Sequence, residues 1–370
     1  MNPGQALFRG ILEAPDEDAP RLVYADWLQE NGQEERAVFI REQIAAAHAD
    51  PAIEPPLPQL EWADHFPTWA VAGLRYHRGF ICELRLSARD FIDHASELFE
   101  LAPIQRVEFE DARGRVAQLV RSPHLGRLHY IELSANQLND ADAYQLSQSA
   151  NLGQVRELVL GDNRIRNEGL YDLARSQALP HLECLHLWRN RISFAGIRAL
   201  ATSPVMHQLE LLYMAENELG VEGTTALAHS EGAGRLRVLD LRANDVGTQG
   251  VHALFQSPHL SELRELYLGV NDLRNDLFDG LHNACLRLDF LELWRNELRD
   301  EAIGALMLLP CIRSLTGLDL SLNNIGSRSG QSILESKYID SLARLDVGRC
   351  HFAEPMISAL RARFGDGLIV

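Results

Sequence analysis

From residue 125 onward, apolar positions recur in one phrase. An aliphatic residue is followed by two variable positions, an aliphatic, one variable, an aliphatic, two variable, and then asparagine. Leu182-Glu-Cys-Leu185-His-Leu187-Trp-Arg-Asn190 is one copy, and Leu239-Asp-Leu241-Arg-Ala-Asn244 ends another. The closing asparagines are Asn136, Asn163, Asn190, Asn217, Asn244, Asn271, Asn296 and Asn323, with six intervals of 27 residues and one of 25. A ninth copy, Leu342-Ala-Arg-Leu345-Asp-Val347-Gly-Arg-Cys350, follows at 27 residues with Cys in the Asn slot. Within each phrase the aliphatic and variable residues alternate, which predicts a short strand with one face buried. The Asn carries donor and acceptor atoms together, so it can satisfy the backbone where the chain leaves the strand. Stacked copies would set these residues in an internal ladder.

The segment after each Asn has helical spacing, as in Phe194-Ala-Gly-Ile197-Arg-Ala-Leu200 and Gly250-Val251-His-Ala-Leu254-Phe255. Ser203-Pro204 and Ser257-Pro258 break the helix before the next strand. Each repeat is therefore expected to be one strand and one helix, burying its apolar stripe only against its neighbours. Identical connections require a parallel sheet. Helices are wider than strands, so the expectation is a curved α/β solenoid with strands on the concave face and helices on the convex face. The phrase, with its terminal Asn or Cys, is similar to the leucine-rich repeat, and the 27-residue unit resembles its ribonuclease-inhibitor-like subfamily. The resemblance covers residues 125–352 and implies a horseshoe.

Ahead of the repeats, residues 1–48 read as a small helical unit. Leu7/Ile11 and Phe8/Leu12 predict a first helix ending near Ala14-Pro15. Asp18 is expected to cap a second, with Val23/Trp27 and Tyr24/Leu28 on its apolar face, and Ala37–Ala47 to form a third. The strings Arg21-Leu-Val-Tyr-Ala-Asp-Trp27-Leu and Phe39-Ile-Arg-Glu-Gln43 resemble the repeat-companion domain of planctomycete proteins, which implies a bacterial source and no established activity. Residues 49–60 are a Pro-rich linker by composition. Residues 61–124 read as an N-terminal cap holding two degenerate repeats, with Arg89 and Ala112 in the Asn slot. Trp62, Phe66 and Trp69 are expected to cover that end, and residues 353–370 to form a C-terminal capping helix closed by Gly365.

The 370-residue chain is 46% hydrophobic and carries a net charge of −17, which disfavours nucleic acid and anionic membrane and favours a basic partner. Lys337 is its single lysine and no glycine-rich loop precedes it, so a Walker loop is excluded. No signal-like segment or membrane-length apolar run is present. Cys82, Cys184, Cys285, Cys311 and Cys350 fit reduced thiols of a cytoplasmic, monomeric protein. The acidic cluster Asp16, Glu17, Asp18 and Asp26 lacks the spacing and central Gly of a calcium loop. No HExxH, CxxC or Gly-x-Ser-x-Gly motif occurs, so no catalytic residue, metal ligand or cofactor is expected.

A surface is expected instead. The residue between the central aliphatics is, in order, Glu132, Val159, His186, Tyr213, Asp240, Tyr267, Glu292, Asp319 and Asp346. The next outward position is Ser134, Gly161, Trp188, Ala215, Arg242, Gly269, Trp294, Ser321 and Gly348. Trp188 and Trp294 sit in twin Leu-Trp-Arg-Asn phrases four repeats apart, roughly 19 Å at one strand spacing per repeat. Aromatic residues and arginine dominate interface hot spots. The candidate partner-binding set is therefore Trp188, Arg189, Tyr213, Glu216, Asp240, Arg242, Tyr267, Phe290, Glu292, Trp294 and Arg295. The bland alternative is a solvated ladder of side chains covering one another. The leading expectation is a non-catalytic scaffold binding an unknown protein on its concave face. The subfamily resemblance implies two alternatives, inhibition of a basic enzyme or GTPase activation through strand-exit arginines such as Arg164, Arg166 and Arg191.

Overall fold

The computed structural model describes residues 2–49, 66–70, 73–284 and 286–370. Two compact units divide the chain: residues 1–136 with 149–158, and residues 137–148 with 159–370.

In the first unit, α1 (Pro3–Glu13) starts from a capping box. The Asn2 side chain accepts from the Gly4 amide and Gln5 reaches back to the Asn2 amide, with Pro3 opening the first turn. Helix α2 (Asp18–Glu30) differs from expectation at its start. Asp18 is its first residue rather than its cap. An acid in the first turn already suits the positive end of the helix, and the Asp18 carboxylate instead meets His48 at 2.7 Å and Arg78 at 3.4 Å. Helix α3 (Glu34–Ala47) begins three residues earlier than expected. Ile11, Ala25, Leu28, Ala37, Ile40 and Ile44 form one core with Phe80, and Phe8, Tyr24 and Trp27 pack against it.

Phe80 opens β2 (Phe80–Ser87), which pairs antiparallel with β1 (Arg75–His77) and parallel with β3 (Arg106–Glu110). Strand β4 (Tyr130–Glu132) continues in parallel. Arg89, aligned with the Asn slot, lies in the first turn of α4 (Ala88–Leu101), where Ser87 caps the Asp90 amide. A short α5 (Val116–Leu119) follows β3. Phe66 is buried, Trp69 packs at 4.9 Å from the His94 ring, and Trp62 and the linker from residue 50 lie outside the described residues.

Strand β5 (Glu157–Val159) begins among the first unit's residues and ends among the second's. In the second unit β6 (Cys184–His186), β7 (Leu211–Tyr213), β8 (Val238–Asp240), β9 (Glu265–Tyr267), β10 (Phe290–Glu292), β11 (Gly317–Asp319) and β12 (Arg344–Asp346) pair in parallel, in chain order. Helices α6 (Asp140–Ser147), α7 (Asn167–Ala174), α8 (Phe194–Ala201), α9 (Gly220–Ala228) and α10 (Gly247–Phe255) each pack on the next. Likewise α11 (Asp300–Leu306), α12 (Ser327–Glu335) and α13 (Glu354–Phe364) pack in sequence. Gly365 ends α13 at φ 54°, and β13 (Leu368–Ile369), which the sequence did not suggest, adds to β12.

One repeat departs from the rule of one strand and one helix. Between β9 and β10 the described residues form turns, not an α-helix, and this is the 25-residue interval. Asn275, Asp276 and Gly280 disfavour a helix, and Leu277, Phe278 and Leu281 fill the interior instead. Cys285 lies outside the described residues.

The asparagines bridge consecutive repeats. Asn190 accepts from the Ile165 amide at 2.9 Å and donates to the Leu160 and Leu187 carbonyls. Asn217 accepts from Ile192 and donates to Leu187 and Met214. Asn136 in the first unit, and Asn163, Asn244, Asn271, Asn296 and Asn323 in the second, repeat this arrangement. Cys350 ends the series with a 3.4 Å contact from its thiol to the Leu320 carbonyl. Burial pushes that thiol up to about 11, so it stays a weak neutral donor.

The residue before each of these in the second unit sits in the left-handed region: Asp162, Arg189, Glu216, Ala243, Val270, Arg295, Leu322 and Arg349, with φ between 49° and 59°. Val270 is the costly one, because its branched Cβ crowds the backbone there. Asparagine tolerates this region, so Val270→Asn is expected to stabilise the protein by about 1 kcal/mol. A urea midpoint equal to or below that of the parent would show that the conformation carries no strain. No described helix is long and apolar enough to cross a membrane.

Candidate partner-binding face

Register brings the variable residues of the second unit into rows. His186, Tyr213, Asp240, Tyr267, Glu292, Asp319 and Asp346 stand opposite one another on consecutive strands. A hollow of about 780 Å³ opens along this face, lined by Trp188, Arg189, Tyr213, Glu216, Asp240, Arg242, Trp294 and Arg295. Eight of the eleven candidate residues thus share one concavity. His186, Ala215, Ala243 and Val270 complete the lining and were not among the candidates. His186 was legible as a member of the row, and its ring stacks on Tyr213 at 4.3 Å with planes 10° apart.

The tryptophans owe their places to glycines one repeat earlier. A Cβ on Gly161 would overlap the Trp188 indole, and one on Gly269 would overlap the Trp294 indole and the Glu292 carboxylate. Each ring lies over bare backbone where Ser134, Ala215, Arg242 or Ser321, in the same slot of other repeats, would carry a side chain. Both rings stay half-buried, so each offers surface to the hollow. Phe290 does not line the concavity. Its ring rests on Tyr267 at 5.4 Å and over Gly317, where a Cβ would come within 2.7 Å of it.

The charged candidates divide into surface and floor. Arg189 donates to Glu216 at 2.8 Å between two exposed side chains, an arrangement that adds little to stability. Asp240 and Glu292 were expected on display, yet they are 2% and 4% exposed. Larger neighbours cover them. Arg242 grips Asp240 through Nε to Oδ1 at 2.9 Å and Nη2 to Oδ2 at 2.5 Å, while its guanidinium lies 5.4 Å from the Tyr267 ring centre. This bidentate pair is a strong, oriented contact. Tyr267 itself donates to Glu265 at 2.6 Å, and its hydroxyl is raised by burial and by that carboxylate.

Glu292 has no such partner. Neither of its carboxylate oxygens makes a hydrogen bond, and the nearest cation, Arg242 Nε, is 4.0 Å away. Burial, helped by Asp319 and Asp240, pushes its carboxyl up to about 8 against the opposing pull of Arg242 and of the Gly269 backbone. Near neutrality this side chain is therefore a buried carboxylic acid beneath the edge of Trp294.

A family profile described as Leucine Rich repeat matches residues 155–174, 236–255 and 312–334. No curated protein matches the sequence. Among solved structures, the chain is similar to a TLR13–ssRNA13 complex at 19% identity and TM-score 0.45, covering 76% of this chain and 38% of that one. It is similar to an internalin (inlF) from Listeria monocytogenes str. 4b F2365 at 15% identity and TM-score 0.39, covering 87% and 92%. A plant peptide hormone receptor, RGFR1 with RGF2, follows at 17% and 0.38, covering 72% and 43%. The chain thus spans less than half the length of two of these three proteins. With three segments matched by the profile and the parallel strands and asparagine bridges in place, the chain has a leucine-rich-repeat fold.

Proposed function

We propose that the protein is a non-catalytic scaffold that holds a protein partner on the strand face of its second unit. One observation carries this reading: Trp188, Tyr213 and Trp294 line a single hollow together with Arg189, Arg242 and Arg295. Large rigid side chains bury much area at small entropic cost, and arginine adds oriented donors, which is the composition of binding hot spots. The glycines beneath both indoles support the same reading, since they seat each ring with part of its surface still open. The 27-residue unit with its outer helix supports a ribonuclease-inhibitor-like subtype. The string around Arg21–Leu28 supports a repeat-companion role for the N-terminal helices, acting within a cytoplasmic, monomeric protein.

Alanine at Trp188, Tyr213, Tyr267 and Trp294 together is expected to abolish partner recovery by affinity purification from the native cell. The thermal transition should remain cooperative, because none of the four rings belongs to the fully buried core. Identical protein sets recovered by parent and variant would remove the face from consideration.

A further inference from the structure

We infer that Arg295, at the Trp294 end of the hollow, is a subsite for a carboxylate, presented by a peptide segment of the partner in which that acid stands beside an aromatic side chain. The inference rests on the reading of this face as partner-binding and adds the chemistry of what it grips. The twin Leu-Trp-Arg-Asn phrases differ in one respect. Arg189 and Arg295 leave the backbone in the same left-handed conformation, each at φ 52°, and both line the hollow. In its row across the repeats Arg189 stands between Asp162 and Glu216, and it donates to Glu216 at 2.8 Å. The corresponding neighbours of Arg295 are Val270 and Leu322. Its side chain is exposed and, among the described residues, makes no hydrogen bond or ion pair.

The other charges of the lining leave that guanidinium unopposed. Glu216 is taken by Arg189, and Arg242 holds Asp240 through two hydrogen bonds. The hollow therefore presents three arginines against two carboxylates, in a chain whose net charge is −17. The whole-chain charge favours basic groups at a distance, but salt screens it over about 8 Å, and contact chemistry then decides what stays. A free guanidinium makes its strongest oriented contact with a carboxylate, through two parallel donors. A guest acid would give Arg295 what Glu216 gives Arg189. Phosphate would satisfy the same donors, yet a nucleic-acid strand brings a charge with every nucleotide toward an acidic protein. The surroundings set the second requirement. Val270, Ala243 and the Trp294 indole share the hollow with Arg295, all half-buried, and Leu322, next in its row, is 38% exposed. An aromatic side chain next to the acid covers this apolar surface at small entropic cost.

The test is equilibrium dialysis of the full chain against three tritiated peptides at about pH 7 and about 0.15 M salt. They are acetyl-Gly-Phe-Glu-Phe-Gly-amide and its versions with Gln or Lys in place of Glu. The expected order of affinity is Glu above Gln above Lys, with about tenfold between the first two. General attraction to an acidic protein predicts the opposite order, with Lys first. Arg295→Gln should leave the Glu peptide no tighter than the Gln peptide. Leu322→Glu supplies the acid from within, in the left-handed conformation that Glu216 already adopts, and should erase the same preference with Arg295 in place. A melting curve for each variant checks the fold. No peptide binding, the Lys peptide binding tightest, or a preference for Glu that survives either variant overturns the inference. A single-stranded oligouridylate of about eight nucleotides that binds more tightly than the Glu peptide, and through Arg295, also overturns it by giving the subsite to phosphate. If the parent shows no preference for Glu and the four-alanine variant loses the partner in cells, the acid subsite falls and the binding face stands. If the four-alanine variant keeps the partner, both fall.

Discussion

Replacing Asn296 by alanine is expected to destabilise the second unit by about 2–4 kcal/mol. Asn296 is fully buried; its Oδ1 accepts from the Asn271 amide at 2.7 Å, and its Nδ2 donates to the Leu268 and Leu293 carbonyls at 3.0 Å. The losses are unequal. Leu268 keeps a donor from Asn271 Nδ2, and Leu293 keeps one from Asn323 Nδ2, both at 2.9 Å. The Asn271 amide, in contrast, loses the acceptor that the side chain provided, and a buried orphan donor costs far more than an average hydrogen bond gains. Urea unfolding of parent and variant measures the difference. A shift below about 0.5 kcal/mol would mean that the ladder contributes geometry without stability.

The second large effect depends on pH. The Glu292 carboxyl stands near 8 in the folded protein, against an ordinary value of 4.5. The native state therefore holds this proton more tightly than the unfolded chain. Below about pH 4.5 both states are protonated and the group is neutral in its effect. As pH rises from there toward 8 the unfolded chain loses its proton first, so native stability falls across that window and levels off above it. Glu292→Gln removes the titration. It should match the parent near pH 4.5 and exceed it by a few kcal/mol near pH 9. Denaturant midpoints at the two ends test this, and a difference that does not change with pH would show that Glu292 ionises like a surface acid.

The repeat period was readable because each unit meets the same surroundings, so the same positions must be aliphatic or Asn throughout. Other regularities were equally available. Serines 149, 176, 203, 230 and 257 also recur at 27 residues. In the second unit Ser176, Ser230 and Ser257 donate to the carbonyls of Ser147, Ala201 and Ala228 in the preceding repeat. Ser149 does the same to Val120 in the first unit. The pairing of Gly161 with Trp188 and of Gly269 with Trp294 was visible as a small residue one repeat before each large one. The burial of Asp240 and Glu292 was not readable. Position within the repeat decides which side of the sheet a residue leaves from, but its exposure depends on the size of what leaves beside it. Here Asp240 and Glu292 are 2% and 4% exposed, whereas Asp319 and Asp346 in the same slot stay partly open. Strand β13 was missed for a related reason, since two residues are too few to show an alternation.

The repeat that substitutes turns for a helix has a mechanical consequence. Along the outer layer of the second unit, rod-to-rod contact runs from α6 to α10 and resumes at α11, leaving a seam at residues 272–284. There single side-chain contacts, such as Phe278 against Phe255 at 5.9 Å and the Arg299 amide donating to Asn275 at 2.7 Å, stand in for helix-on-helix packing. Trp294 lies on the far side of that seam and Trp188 on the near side, so anything clasped between the two indoles acts as a splint, stiffening the array at the place where its own backing is thinnest.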